Sequence, residues 1–274
     1  VMKLWAGLGY YARARNLHRA AKEIADVHQG IFPSDFDAIH ALPGIGRSTA
    51  AAISAFAFGQ RKAILDGNVK RVFARHFGVD GDVKSKPVED ALWSLAEKQL
   101  PKADIETYTQ GLMDLGATLC RRAQPSCLLC PVRATCVAFR EGRVDELPGR
   151  GVRKELPHRQ SRMLVVLYKG EVLLEKRPPT GIWGGLWCLP EASLEKSAVE
   201  ELAARYRLTG KSVRDLARVE HGFTHYLLTI FPVEITLAKT DLAAMEPGLM
   251  WLNLNDAAEA ALPAPVKRIL ESLQ

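Results

Sequence analysis

The spacing of apolar and polar positions changes about halfway along the chain. Up to residue 140, apolar side chains recur every three or four residues between short turns, which is the spacing of amphipathic helices. From residue 163 onward, apolar and polar positions alternate in several segments, which favours strands. The two patterns predict helices over 11–30, 35–42, 48–58, 68–77, 88–100, 105–120 and 192–206, and strands over 163–177 and 225–238.

Turn and capping residues indicate where several of these elements begin and end. Lys169 and Gly170 divide the first strand segment into a hairpin. Ser34 and Asp66 are placed to cap the helices that follow them, and Gly30 is placed to stop the first helix. The sequence therefore predicts an all-α part followed by an α+β part.

The length and composition fit two soluble domains. The chain has 274 residues, of which 47% are hydrophobic and 25% are charged. Residues 141–161 are charged and rich in Pro and Gly without a sustained period, which predicts a linker between a domain over 1–140 and a domain over 162–274. No run of eighteen apolar residues occurs and the first residues do not resemble a secretory leader, so we expect a cytoplasmic protein without a membrane segment.

The positive charge is concentrated in the first part of the chain. Residues 1–160 hold 24 Lys and Arg against 17 Asp and Glu, whereas residues 161–274 hold 13 against 14. A basic first domain is typical of proteins whose partner is a polyanion such as nucleic acid. Many basic proteins bind no nucleic acid, so the charge alone does not decide the question.

Two glycines stand one residue apart between the second and third predicted helices. Gly44 and Gly46 lie in the string LPGIGRSTA, where they permit positive φ and leave backbone N–H groups uncovered by a Cβ atom. Because a helix starts there, its free N–H groups and its dipole point to the same place, which suits one DNA phosphate. Arg47 follows directly and would add a positive charge. The alternative is an ordinary tight turn between two helices.

Four of the five cysteines are clustered after the last helix of the first domain. Four thiolates at this short spacing suit either zinc or an iron–sulfur cluster. Arg121 and Arg122 lie in the same loop and would present positive charge to a DNA backbone, whereas Cys188 lies alone in a predicted core strand. The clustered cysteines are Cys120, Cys127, Cys130 and Cys136.

A carboxylate precedes the fourth helix in the string ILDGNVKRV. On the local pattern alone, Asp66 is an N-cap. It also lies some twenty residues after the glycine turn. Lys70 and Arg71, one turn later, are expected to serve phosphates or solvent.

Several strings together resemble one family. These are GLGYYARARNL, LPGIGRSTAAAI, ILDGNVKRV, the C-x6-C-x2-C-x5-C loop and the ending APVKRILESL, and all are similar to adenine DNA glycosylases of the MutY type in the helix-hairpin-helix, endonuclease-III superfamily. The likeness covers nearly the whole chain. It implies an all-α glycosylase domain with a [4Fe–4S] cluster on the loop 120–136, followed by an α+β Nudix-like domain.

The resemblance implies roles for individual residues of the first domain. In the family, the equivalent of Asp66 stabilises positive charge on the deoxyribose while the base departs. Ser48 stands where endonuclease-III-type enzymes carry a lysine that attacks C1′, and a serine cannot form an imine. The resemblance therefore implies hydrolysis by water without strand cleavage. Tyr10 corresponds to a tyrosine that inserts into the base stack.

The resemblance assigns lesion reading to the second domain. Ala204 and Arg205 stand where a Nudix metal site needs carboxylates, so we expect no pyrophosphate hydrolysis. In the family a Phe-Ser-His loop inspects 8-oxoguanine opposite the adenine, and this chain has Phe223, Thr224 and His225.

The implied partner is duplex DNA with adenine opposite 8-oxoguanine. The resemblance further implies a monomer in the bacterial cytoplasm, associated with the nucleoid. Family members carry a glutamate that protonates the adenine in a segment ahead of GLGYY, and no residue here matches it, so we expect this segment to be missing. Two alternatives stay open: a catalytically inactive lesion-binding fragment, and a glycosylase directed to thymine or another pyrimidine.

Overall fold

The chain divides into two compact units. The computed structural model describes residues 1, 3–5, 8–149, 151, 155–239, 247–257 and 260–274. Residues Arg19–Lys154 form the helical unit, and Val1–His18 together with Glu155–Gln274 form the sheet unit. This grouping differs from the predicted domains for the first eighteen residues, because it places them with the C-terminal half. The boundaries 1–140, 141–161 and 162–274 stay a prediction.

The helical unit has the elements that the apolar spacing predicts. Its buried residues come from several helices and include Ala51, Val69, Phe73 and Leu92. Among the described residues, no helix is both long enough and apolar enough to cross a membrane. The helices are α1 (Tyr11–Asp26, which begins in the sheet unit), α2 (Phe36–Ala41), α3 (Arg47–Phe58), α4 (Gly67–Phe77), α5 (Lys86–Lys98), α6 (Ile105–Asp114) and α7 (Val137–Arg140).

The helix ends agree with the sequence in some places and differ in others. Asp66 is the N-cap of α4, as predicted. The N-cap of α2 is Asp35, whose carboxylate accepts a hydrogen bond from the Ala38 N–H at 3.0 Å, so the assignment to Ser34 is wrong by one residue. Helix α1 stops at Asp26, before Gly30, and a π-helical turn over Leu115–Leu119 follows α6.

The sheet unit is built on an eight-stranded sheet. The order along its main path is β3-β2-β1-β7-β5, with β4 beside β1, β6 beside β7 and β8 beside β2. Strands β1 and β7 are parallel, and the other pairs are antiparallel. The strands are β1 (His158–Tyr168), β2 (Glu171–Lys176), β3 (Trp187–Cys188), β4 (Glu191–Ala192), β5 (Gly210–Asp215), β6 (Val219–Gly222), β7 (Leu227–Leu237) and β8 (Leu249–Asn253).

One helix covers each face of this sheet. Because side chains alternate along a strand, Met163 and Val165 of β1 pack on one face with α9 (Ala264–Glu271), and Leu164 packs on the other face with α8 (Ala198–Tyr206). The predicted α+β class of the second part of the chain is confirmed. Strand β1 begins inside the predicted linker because His158 pairs with Leu227 of the distant β7, and residues 192–197 lie outside α8.

We expect Gly116→Ala to lower the free energy of unfolding by about 1–3 kcal/mol, since it overpacks a tight contact. A Cβ atom at Gly116 would lie 2.7 Å from the Cβ of Asn68 and 3.4 Å from its backbone. The matched control is Gly111→Ala in the adjoining helix α6, where an added Cβ meets no atom within 4 Å. Ala is the better helix former, so this control should be neutral or stabilising by up to about 1 kcal/mol. Urea unfolding of both variants tests this; equal stability would contradict the close approach.

Candidate functional site

The glycine turn between α2 and α3 leaves a helix start open. Gly44 has φ +82°, and the Ile45 N–H donates to the Leu42 carbonyl at 3.1 Å. Gly46 is the N-cap of α3 and has no side-chain capping bond. A Cβ atom added at Gly46 would meet no atom within 4 Å, so an oxyanion has room beside the first N–H groups of α3.

Arg47 is held by protein contacts next to this turn. Its guanidinium pairs with the Glu97 carboxylate at 2.5 Å and lies 3.8 Å from the centre of the Trp93 ring. Both partners belong to α5. The assignment of Arg47 to DNA stays a prediction, and it requires the guanidinium to share or leave its pairing with Glu97.

Ser48 connects the glycine turn to the segment before α4. Its Oγ accepts a hydrogen bond from the backbone N–H of Leu65 at 3.0 Å. Leu65 is buried and directly precedes Asp66. The hydroxyl therefore holds the carboxylate-bearing segment against α3, a contact that the sequence reasoning did not include.

Asp66 combines a cap with exposure to solvent. Its Oδ1 accepts hydrogen bonds from the N–H groups of Asn68 at 2.9 Å and Val69 at 2.8 Å. The residue is exposed, although Leu65 before it and Val69 after it are buried. A carboxylate has two oxygens, so capping through one of them is compatible with a second role.

Arg71 ties the start of α4 to the cysteine loop. Its Nε donates to the Cys120 carbonyl at 2.7 Å, and its Nη2 donates to the Gly116 carbonyl at 2.6 Å and to Asn68 Oδ1 at 2.9 Å. The neighbouring Lys70 pairs with Glu89 at 2.6 Å. Each cation therefore has a protein partner far away in the sequence, and the expectation that both serve phosphates or solvent stays a prediction.

Arg75 is a functional candidate that the sequence reasoning missed. The residue is 3% exposed, and its guanidinium donates to the carbonyls of Leu147 at 2.8 Å and Arg121 at 2.7 Å. It also donates to the Cys120 Sγ at 3.5 Å. The available signal was its place three residues after the buried Val72, on the apolar face of α4.

The four clustered cysteines line one pocket. Its volume is about 330 Å³ including the space open to solvent, and Arg75 and Phe139 complete part of its wall. Burial, followed by the neighbouring sulfurs of Cys120 and Cys136, raises the pKa of the Cys127 thiol. Arg121 and Arg122 are exposed beside the pocket.

The four thiols supply the number and type of ligands that a [4Fe–4S] cluster needs. No group of three or more His, Cys, Asp or Glu residues in the described part of the chain is arranged to hold one metal ion. A [4Fe–4S] cluster binds one thiolate at each of four irons. Its four ligands are therefore spread around a cavity, whereas the ligands of a single metal ion converge on one atom. Four thiols around one pocket meet that requirement.

Phe223, Thr224 and His225 form the hairpin between β6 and β7. Thr224 and His225 are exposed, and their Oγ1 and Nδ1 atoms are 3.4 Å apart. Phe223 is half-buried: its ring centre lies 4.6 Å from those of Tyr226 and His221. Burial, and then the nearby charge of Arg268, lowers the pKa of His221, so this ring stays neutral to lower pH than an ordinary histidine.

Arg205 of α8, which the resemblance places where a Nudix metal site needs a carboxylate, is paired with an acid. Its Nη2 donates to both oxygens of Glu175, at 3.0 and 3.1 Å. The Glu201 carboxylate accepts from the Ser193 N–H at 2.8 Å, so this acid serves the local fold. A guanidinium paired with an acid cannot bind a divalent cation.

Tyr10 directly precedes α1, in the part of the chain grouped with the sheet unit. Its side chain is 73% exposed and its φ is +46°, an unusual value outside glycine. Gly7 of the same string is outside the described residues.

Two domain families match the chain, one in each half. Residues 1–98 match the HhH-GPD superfamily of base excision DNA repair proteins, and residues 162–272 match the NUDIX domain. Among solved structures, a thermostable thymine-DNA glycosylase is 34% identical over 47% of this chain and 59% of its own, with a TM-score of 0.43.

Bacterial and mammalian relatives are similar to this chain across both of its parts. The adenine DNA glycosylase of Buchnera aphidicola subsp. Acyrthosiphon pisum is 34% identical over 100% of this chain and 78% of its own length. The adenine DNA glycosylase of Mus musculus is 30% identical over 98% of this chain and 62% of its own length. With such identity across both halves, the chain belongs to the adenine DNA glycosylase family of base-excision repair enzymes.

Proposed function

We propose that the protein hydrolyses the N-glycosidic bond of adenine in duplex DNA where adenine stands opposite 8-oxoguanine or guanine. The observation that carries the proposal is the exposed Asp66 carboxylate, fixed at the start of α4 beside the open glycine turn. Water adds to C1′ and the adenine leaves with a proton, so the product is an abasic site in an unbroken strand.

Asp66 acts on the charge that develops during this reaction. The bond to the purine breaks through a state in which the deoxyribose resembles an oxocarbenium ion, and a fixed anion beside C1′ stabilises that state. The two backbone hydrogen bonds to Oδ1 and the Ser48–Leu65 contact hold the carboxylate before the substrate arrives. Such preorganisation avoids rearrangement during the chemical step.

The DNA backbone binds at two places on the helical unit in this proposal. Gly44 and Gly46 offer backbone N–H groups to one phosphate, with Arg47 beside them. Arg121 and Arg122 on the cysteine loop attract further phosphates. Tyr10 inserts into the base stack and helps to extrude the adenine.

Thr224 and His225 read the base opposite the adenine, and Phe223 supports them from the aromatic cluster. The Thr224 hydroxyl supplies the polar contact that the family's serine makes, with one additional methyl group. We further propose that the protein acts as a monomer in the bacterial cytoplasm close to the nucleoid.

The four cysteines of the pocket would hold a [4Fe–4S] cluster. When bound, the cluster cross-links the loop and supplies a one-electron redox centre. Arg75 prepares the loop for it, because the buried guanidinium orders the carbonyls of Arg121 and Leu147 and donates to the Cys120 sulfur.

Asp66→Asn should lower the rate of adenine release by about 10²–10³-fold in single-turnover assays of the full-length protein. Asn caps helices as well as Asp does, so the free energy of unfolding should change little. The matched control is Asp35→Asn at the cap of α2, which should alter neither property.

Unchanged adenine release by Asp66→Asn would mean that Asp66 only caps the helix, and the assignment would fail. Release of thymine instead of adenine by the wild-type protein would favour the pyrimidine-directed alternative. Lesion binding without release of any base would favour the inactive lesion-binding alternative.

Ser48→Lys should allow borohydride to trap a covalent complex with DNA, because a lysine amine at this position can attack C1′ and form an imine. The wild-type protein and the control Thr49→Lys, one residue further along α3, should give no trapped complex. Trapping by the wild-type protein, or strand breaks without added alkali, would contradict the monofunctional reaction.

Protein purified without oxygen should contain about four irons per chain and should be brown. Cys130→Ser should lose the iron, whereas Cys188→Ala, in the core strand β3, should keep it. Stoichiometric zinc in place of iron would show that the pocket holds a different metal site.

A further inference from the structure

Two exposed arginines lie near the hairpin between β6 and β7, which carries Thr224 and His225. The Arg159 guanidinium of β1 lies 4.7 Å from the centre of the Tyr226 ring, just after Thr224 and His225. The Arg268 guanidinium of α9 donates to the Glu220 carbonyl at 3.3 Å, in β6, four residues before Thr224. The fold therefore brings one cation to the residue that follows His225 and one to β6, the strand that leads into the hairpin.

The placement of two cations near this hairpin is a local feature of the sheet unit. Residues 161–274 hold 13 Lys and Arg against 14 Asp and Glu, so a general excess of positive charge does not explain it. The nearest carboxylate in sequence, on Glu220, faces Arg218 at 3.9 Å. Arg159 and Arg268 are anchored by an aromatic ring and a backbone carbonyl, and neither contact neutralises a guanidinium charge.

A nucleotide that is read through its base has a phosphate on each side. Hydrogen bonds to phosphates fix the register of a protein on DNA, whereas contacts to the base supply selectivity. Arginine suits the first task because its planar fork binds phosphate oxygens in pairs. Cations that contact the chain before and after Thr224 and His225 can each bind one of these two phosphates.

We infer that Arg159 and Arg268 bind the phosphates that flank the base read by Thr224 and His225. The inference rests on the proposed lesion reading and assigns the two arginines to positioning. They hold the nucleotide in place and do not distinguish 8-oxoguanine from guanine.

The test measures DNA binding against salt for Arg159→Gln and Arg268→Gln in the full-length protein. The probes are duplexes with adenine opposite 8-oxoguanine or opposite guanine. Each variant should bind both duplexes more weakly by the same factor, and the slope of log affinity against log salt should fall by about 0.9. Between about 50 and 200 mM salt, the ratio of wild-type to variant affinity should then decrease about 3.5-fold.

Two controls separate charge from structure. Arg159→Lys keeps the positive charge, so its slope of log affinity against log salt should equal that of the wild-type protein. A purely structural role over Tyr226 does not predict this recovery of the slope. Lys211→Gln removes an exposed cation from β5, which pairs with the far half of β7, and should leave the slope unchanged. Normal thermal unfolding of Arg159→Gln, Arg268→Gln and Lys211→Gln confirms that these variants fold.

Unchanged salt slopes in the two folded arginine variants would overturn the inference. The same binding assay with Thr224→Ala tests the proposed reading independently, since it should reduce the preference for 8-oxoguanine over guanine without changing the slope. If the arginine variants keep the wild-type salt slope while Thr224→Ala lowers the preference for 8-oxoguanine, only the arginine assignment fails. If Thr224→Ala keeps that preference while the arginine variants lower the slope, only the reading role of Thr224 fails.

Discussion

The position of α4 depends on hydrogen bonds with backbone atoms at its start and along its length. At the start, Ser48 accepts from Leu65, and Asp66 accepts from two amides of the first turn. Further along the helix, Arg71 and Arg75 donate to carbonyls of the cysteine loop and of the turn before it. A shift of α4 would break several of these bonds together, so the carboxylate is held by the whole helical unit.

This arrangement gives each cation near α4 a separate task. Arg75 is buried, and its removal would leave buried carbonyls unpaired. Its role is therefore to hold the cysteine loop in place. Arg121 and Arg122 are exposed and remain available to a polyanion. The sheet unit also has both kinds of arginine. Arg205 is paired with the acid Glu175, whereas Arg159 and Arg268 contact an aromatic ring and a backbone carbonyl near an exposed hairpin.

Local patterns predicted most elements and the cap of α4, since helix spacing, turn glycines and capping acids act within a few residues. They failed where partners are distant in the sequence. His158 joins β1 only because β7 lies beside it, and Arg71 looks like a surface cation until Cys120 and Gly116 are brought to it. The cap of α2 fell on Asp35 instead of Ser34 because both residues can cap and the local pattern does not choose between them. The catalytic, cluster and reading roles came from resemblance to a family, which spacing alone could not supply.

The most direct measurement is a crystal structure of the full-length protein on duplex DNA that carries a non-hydrolysable adenosine analogue opposite 8-oxoguanine. The account predicts that the Asp66 carboxylate contacts C1′ of the extruded nucleotide, with Oδ1 still accepting from Asn68 and Val69. A nucleotide bound elsewhere, with Asp66 facing solvent and serving only as the cap of α4, would contradict it.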